Sequence, residues 1–137
     1  MVIDVTFPGG ARVDASWGNF VVQTDQPTYA GGQGTAPTPF QLFLASIATC
    51  AGIFVLGFCQ QRQIPTDGIR MRQIVESDPT SHMVTRLVLD IALPPAFPPQ
   101  YVQAVARAAE QCSVKKHIQN PPAFDIQAHI EAPSPQG

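Results

Sequence analysis

Three cysteines carry most of the chemistry available to this chain: Cys50, Cys59 and Cys112. Two of them fall in its most apolar stretch, PFQLFLASIATCAGIFVLGFCQQRQ, Pro39 to Gln63. Read as a helix, that stretch turns about 100° per residue, so Cys50 and Cys59 point to opposite faces, roughly 13 Å apart along the axis. A disulfide needs Cα atoms within about 7 Å. These two cannot pair with each other, and at most one of them faces any given site. Cys112 lies outside the helix, in QCSVKKH, with two lysines and a histidine close behind it. A helix starting near Ser113 sets Cys112 at its N-terminus, where the dipole and the cations both favour thiolate.

Cys50 has the opposite surroundings. Its helical neighbours are Phe43, Ser46, Ile47, Ile53, Phe54 and Gly57. Desolvation among apolar groups raises a thiol pKa. A reactive Cys50 therefore calls for a cation from elsewhere in the fold, and Arg12, Arg70 and Arg72 are the candidates. Cys59 reads as a packing residue. The competing reading covers all three thiols: buried cysteine behaves as a small, inert hydrophobe. Resistance to alkylation in the folded state would mark that case.

Other chemistries find little support. His82, His117 and His129 are not spaced with the cysteines as zinc ligands are, and no metal is expected. No GxGxxG or GK(S/T) motif is present, and Gly31-Gly32-Gln33-Gly34 is separated from the helix by Thr-Ala-Pro-Thr-Pro, so it does not read as a phosphate cradle. No bound cofactor is expected. No Ser-His-Asp arrangement can be argued from spacing.

The elements that must position the thiols follow from pattern. MVIDVTF, ARVDASW and FVVQT alternate as strands, separated by turns at Pro8-Gly9-Gly10 and Gly18-Asn19. Residues Asp25 to Thr38 form a glycine- and proline-rich loop, long enough to suggest function or a subunit contact. Thr38 suits an N-cap and Pro39 the first helical position; Ile64-Pro65 ends the helix. Ile69 to Glu76 and His82 to Leu93 read as a hairpin around Asp78-Pro79-Thr80-Ser81. Pro99 to Gln111 reads as an amphipathic helix with Val102, Val105, Ala106 and Ala109 on one face. A short helix follows in CSVKKHIQN, capped by Ser113 if it starts there. Phe124 to Glu131 alternates as a last strand. Grouped strands with helices between them indicate an α+β fold.

Bulk properties bound the rest. A length of 137 residues suits one domain, with residues 25–38 as a loop and 132–137 as a loose tail. Charged residues make up 13%, low against the usual quarter, which suggests surface covered by another subunit. A net charge of -2 gives no case for nucleic acid or an anionic membrane as partner. Phe40 to Cys59 is free of formal charge and long enough to cross a bilayer. Its flanks lack an aromatic belt, and a helix buried all round at the centre of a soluble fold accounts for it better. MVIDVTF lacks a basic start and a long apolar run, so a cytoplasmic location with reduced thiols is expected.

APTPFQLFLASIATC resembles the signature of the OsmC/Ohr family: a small residue and Pro, then an apolar helix with a cysteine in its middle. QCSV resembles that family's second cysteine motif, and the element order also fits, over about residues 1 to 131. The resemblance implies an OsmC-like α+β fold, an intertwined homodimer with antiparallel sheets around the long central buried helices. It also implies thiol-dependent reduction of organic hydroperoxides. In that cycle Cys50 is oxidised to sulfenic acid, Cys112 resolves it as a disulfide, and a dithiol reductant restores the pair. Such an activity belongs to the oxidative stress response. Branches of the family hold an arginine against the reactive cysteine with a glutamate at the start of the long helix. The matching positions here are Phe40 and Gln41, and Arg12, in GGAR, matches the arginine only with one residue inserted. A contrasting expectation is therefore a non-catalytic binding protein for a small hydrophobic or electrophilic ligand.

Overall fold

The computed structural model describes residues 1–133. Residues 134–137, most of the expected tail, lie outside the described residues. Three strands come first: β1 (Asp4–Gly9), β2 (Arg12–Trp17) and β3 (Phe20–Thr24), paired antiparallel in that order. The turn between β2 and β3 has positive φ at Gly18 (53°) and not at Asn19, as a two-residue type II′ hairpin requires. It closes on the Trp17–Phe20 pair, whose rings lie 5.9 Å apart.

The loop that follows is built around Asp25. This carboxylate is 1% exposed and accepts from the Thr35 hydroxyl (2.6 Å), the Thr35 backbone N–H (3.0 Å) and the Gln26 N–H (2.7 Å). Those bonds, the Thr35 hydroxyl foremost, lower its pKa from 3.8 to about 2. Its contribution to folding is therefore present above the ordinary carboxylate pKa and lost as pH falls from about 4 towards about 2. The chain doubles back so closely that a Cβ on Gly32 would clash with the Gln26 carbonyl group. Gly32→Ala is expected to cost about 1–3 kcal/mol through overpacking, read as a lower melting temperature.

Helix α1 (Pro39–Gln61) begins with a reciprocal capping box: Thr38 Oγ1 accepts from Gln41 N (3.2 Å) and Gln41 Oε1 accepts from Thr38 N (2.9 Å). It ends in a Schellman motif. Ile64 N–H donates to Cys59 O (2.9 Å) and Gln63 N–H to Gln60 O (3.2 Å), with Gln63 left-handed at φ 56°. Strands β4 (Arg70–Ser77) and β5 (Val84–Ala92) form the hairpin, with Asp78 Oδ1 accepting from Thr80 N and Ser81 N in its turn. A 3₁₀ turn at Pro99–Tyr101 leads into α2 (Val102–Ala109), and α3 (Ser113–Gln119) follows.

The core gathers Ala51, Val55, Phe58 and Cys59 of α1, Phe97, and Val105 and Ala109 of α2, over Met71, Leu89 and Ile91 of the β4–β5 hairpin. Burial raises the Cys59 pKa, as suits a packing thiol; Arg62 partly opposes this. The Arg62 guanidinium covers the Phe58 ring at 3.7 Å. Of the face expected on α2, Val105 and Ala109 are buried, whereas Val102 is exposed.

Two expectations are corrected. Phe124–Glu131 forms no strand: residues 121–133 have no regular structure, and Phe124, Ile126 and Ile130 are 85%, 92% and 98% exposed. Alternation marks a segment able to pair, but a strand also needs a ladder partner, and 121–133 joins neither sheet. Helix α1 is not buried all round within one chain. Its other side presents Phe40, Phe43, Ile53 and Phe54 to the outside. The reason is supply: α2, α3 and the β4–β5 hairpin cover one side, and β1–β3 pack mainly on each other.

Candidate active site

The first turn of α3 meets the middle of α1, and this junction brings Cys50 and Cys112 together. Cys112 is the N-cap of α3, and its Sγ accepts the Lys115 backbone N–H at 3.3 Å. The same thiol lies 3.9 Å from the Ile47 carbonyl oxygen of α1, to which it donates. It is 2% exposed. Ile47 is one turn before Cys50, so this contact seats Cys112 beside it.

Cys50 is half-buried, and its Sγ lies 3.5 Å from the Ser113 hydroxyl. Its pKa is lowered from 9.0 to about 7. The Val114 backbone N–H contributes most, followed by the Ser113 hydroxyl; burial opposes them, and the Cys112 thiol and Ser113 N–H add smaller favourable shares. The ionised form is thus favoured by donors at a helix start and, among the described residues of one chain, by no cation. The two thiols are free.

This reverses part of the sequence reading. The start of α3 serves Cys50 as well as Cys112, and Lys115 brings Cys112 a backbone donor. Ser113 does not cap the helix; Cys112 does. Spacing carried no signal for the Cys50–Ser113 contact, because it spans 63 residues of chain.

The expected cations are placed elsewhere. Arg12 pairs with Asp14 on its own strand at 3.4 Å and borders a hollow with Gly10, Asp25 and Gly32. Arg72 faces Asp90 at 3.7 Å with its side chain 75% exposed, and Arg70 lines the same surface. Within one chain none of the three is among the groups that shift Cys50. Gln41 is engaged in the capping box, and Phe40 stacks on Phe43 at 5.7 Å. No cluster of three or more His, Cys, Asp or Glu suited to a metal occurs among the described residues.

A cavity of about 430 Å³ adjoins the pair, walled by Ile47, Ala51, Leu87, Leu89, Ala109 and Cys112, with Glu110 and Lys115 as its charged members. Cys50 is not in this wall. It lies towards the exposed side of α1, flanked at helical spacing by Ile53 and Phe54, which are 57% and 37% exposed.

Comparison with known proteins places this geometry in context. The family model described as OsmC-like protein matches residues 32–127. No curated protein matches the chain. A crystal structure from Psychrobacter arcticus, ascribed to the osmotic stress induced and detoxification response, is similar with TM-score 0.70 and 21% identity, covering 85% of this chain and 86% of that one. The organic hydroperoxide resistance protein OsmC of Legionella pneumophila is similar with TM-score 0.52 and 22% identity, covering 86% and 88%. The organic hydroperoxide resistance protein OhrB of Bacillus subtilis gives TM-score 0.50 and 22% identity, covering 88% and 93%. At these identities the likeness establishes the fold.

Proposed function

The chain belongs to the OsmC-like protein family, and from that premise we propose that it is a thiol-dependent peroxidase that reduces organic hydroperoxides through Cys50 and Cys112. One observation carries the proposal: a half-buried Cys50 with its pKa lowered to about 7 sits against a second, shielded thiol. The hydroperoxide resistance named for two structural relatives agrees with it.

The chemistry balances as follows. The Cys50 thiolate attacks the terminal oxygen of ROOH, the O–O bond breaks, and the leaving alkoxide takes a proton to depart as ROH. Cys50 is then a sulfenic acid. The Cys112 sulfur attacks the Cys50 sulfur, water leaves, and a disulfide forms. An external dithiol attacks this disulfide and is itself oxidised to a disulfide, returning two thiols.

The functional unit in this proposal is a homodimer. The exposed face of α1 carries Phe43, Ile53 and Phe54 beside Cys50, and a second copy laid on it closes an apolar space for the alkyl group over the thiol. Arg12 remains the candidate for a cation delivered to Cys50 in that assembly. The protein acts without metal or cofactor, in the cytoplasm, and needs neither nucleic acid nor membrane.

The test is stopped-flow oxidation of the reduced protein by an alkyl hydroperoxide, followed by peptide mapping. Fast oxidation ending in a Cys50–Cys112 disulfide is expected. Oxidation no faster than a free thiol would instead favour a binding role for a small hydrophobic or electrophilic ligand. The rate should also follow thiolate, rising with pH through about 7 and levelling above it. A profile rising instead through the free-thiol value, about 8.5, would contradict the activation described.

A further inference from the structure

Three features of the Cys50–α3 junction bear on how the reactive sulfur is held. First, α3 is capped by the Cys112 sulfur, which takes the Lys115 N–H, so the Ser113 hydroxyl has no capping duty. Second, that hydroxyl lies 3.5 Å from the Cys50 sulfur. Third, Cys50 has no ionic partner among the described residues. Pro39 to Gln61 contains no charged side chain. Of the elements packed on α1, β4 carries Arg70, Arg72 and Glu76, β5 carries Arg86 and Asp90, α2 carries Arg107, and Glu110 follows at its C-cap. Helix α3 carries Lys115, Lys116 and His117. Among the described residues, only Glu110 and Lys115 of these reach the cavity wall that Cys112 shares, and Cys112 is the one titratable side chain that acts on Cys50.

We propose that Ser113 is a positioning residue for the reactive thiolate, its hydroxyl donating to Cys50 Sγ and fixing the sulfur against the start of α3 where Cys112 can resolve it. A hydroxyl suits this place. It donates to a thiolate and can turn away once the sulfur has gained an oxygen, whereas a fixed cation would stay. A hydrogen bond to a charged acceptor is stronger than one between neutral groups, so the bond favours the ionised form. The proposal rests on Cys50 being the reactive thiol.

The experiment uses full-length protein and needs no peroxide. The pH dependence of iodoacetamide labelling is followed by mass spectrometry on the Cys50 peptide, for the wild type, Ser113→Ala and Ser113→Thr. Ser113→Ala is expected to raise the midpoint by about one pH unit, a roughly tenfold loss of thiolate below it, with the high-pH labelling rate little changed. Ser113→Thr keeps the hydroxyl and should restore the midpoint. Ser113 is exposed and is not the N-cap, so both variants should keep wild-type circular dichroism. An unchanged midpoint in Ser113→Ala, or a raised one in Ser113→Thr, overturns the proposal. Stopped-flow oxidation of the same proteins separates the two ideas. Fast peroxide reduction with an unshifted midpoint sinks only the role of Ser113. A shifted midpoint with slow oxidation sinks only the peroxidase.

Discussion

Cys50→Ser is expected to lower the rate of alkyl hydroperoxide reduction by about a thousandfold or more, to that of the remaining thiols. An alcohol at this position is not ionised at neutral pH, and the donors that hold a thiolate here cannot make it a nucleophile towards an O–O bond. Cys112→Ser should behave differently. The first encounter with peroxide proceeds, because Cys50 keeps the Val114 and Ser113 donors that contribute most to its lowered pKa. The protein then stops as a sulfenic acid, trapped by dimedone, and turnover with a dithiol falls away. Cys59→Ser should leave both steps intact, since Cys59 is fully buried in the α1–α2 core. Single-turnover and steady-state rates on the three variants decide the assignment. Equal loss in all three would mean that the thiols serve packing and not chemistry.

Ile53→Asp should convert a dimer into monomers. Ile53 is 57% exposed in the single chain, so the chain's own core of Val55, Phe58 and Val105 is left untouched. In the proposed homodimer the same residue would be covered, and a two-fold interface would carry the change twice. Leaving an unpaired charge in such an interface costs about 3 kcal/mol per copy, so the dissociation constant should rise roughly 10⁴-fold. Sedimentation equilibrium reads this directly. Wild-type protein sedimenting at the mass of one chain, 14.7 kDa, would refute the homodimer. If Cys50 works beneath that interface, Ile53→Asp should also slow peroxide reduction while leaving far-UV circular dichroism unchanged.

The long helix shows how far sequence reaches. Thr38, Pro39 and the Ile64-Pro65 stop gave its ends to within two residues, because caps and breakers act locally. The β1–β3 meander and the β4–β5 hairpin were legible for the same reason: alternation and turn residues are short-range signals. Phe124–Glu131 shows the limit. Its alternation is as good as that of β4, but pairing depends on what lies alongside, and sequence does not say which edges are open. The apolarity of Phe40 to Cys59 likewise predicted burial without saying how much of it one chain can supply.

At the site, residue types and motif resemblance singled out Cys50 and Cys112, and helical spacing alone ruled out a bond between Cys50 and Cys59. Those conclusions need only the geometry of one helix. What lowers the Cys50 pKa was decided by tertiary structure. The sequence pointed to a cation, because Cys50 has only uncharged neighbours along its own helix. The fold instead docks the start of α3 on α1, 63 residues away, and turns its backbone N–H groups and the Ser113 hydroxyl on the sulfur. Backbone donors carry no signature in sequence: every residue but proline has one, and only packing determines where they point.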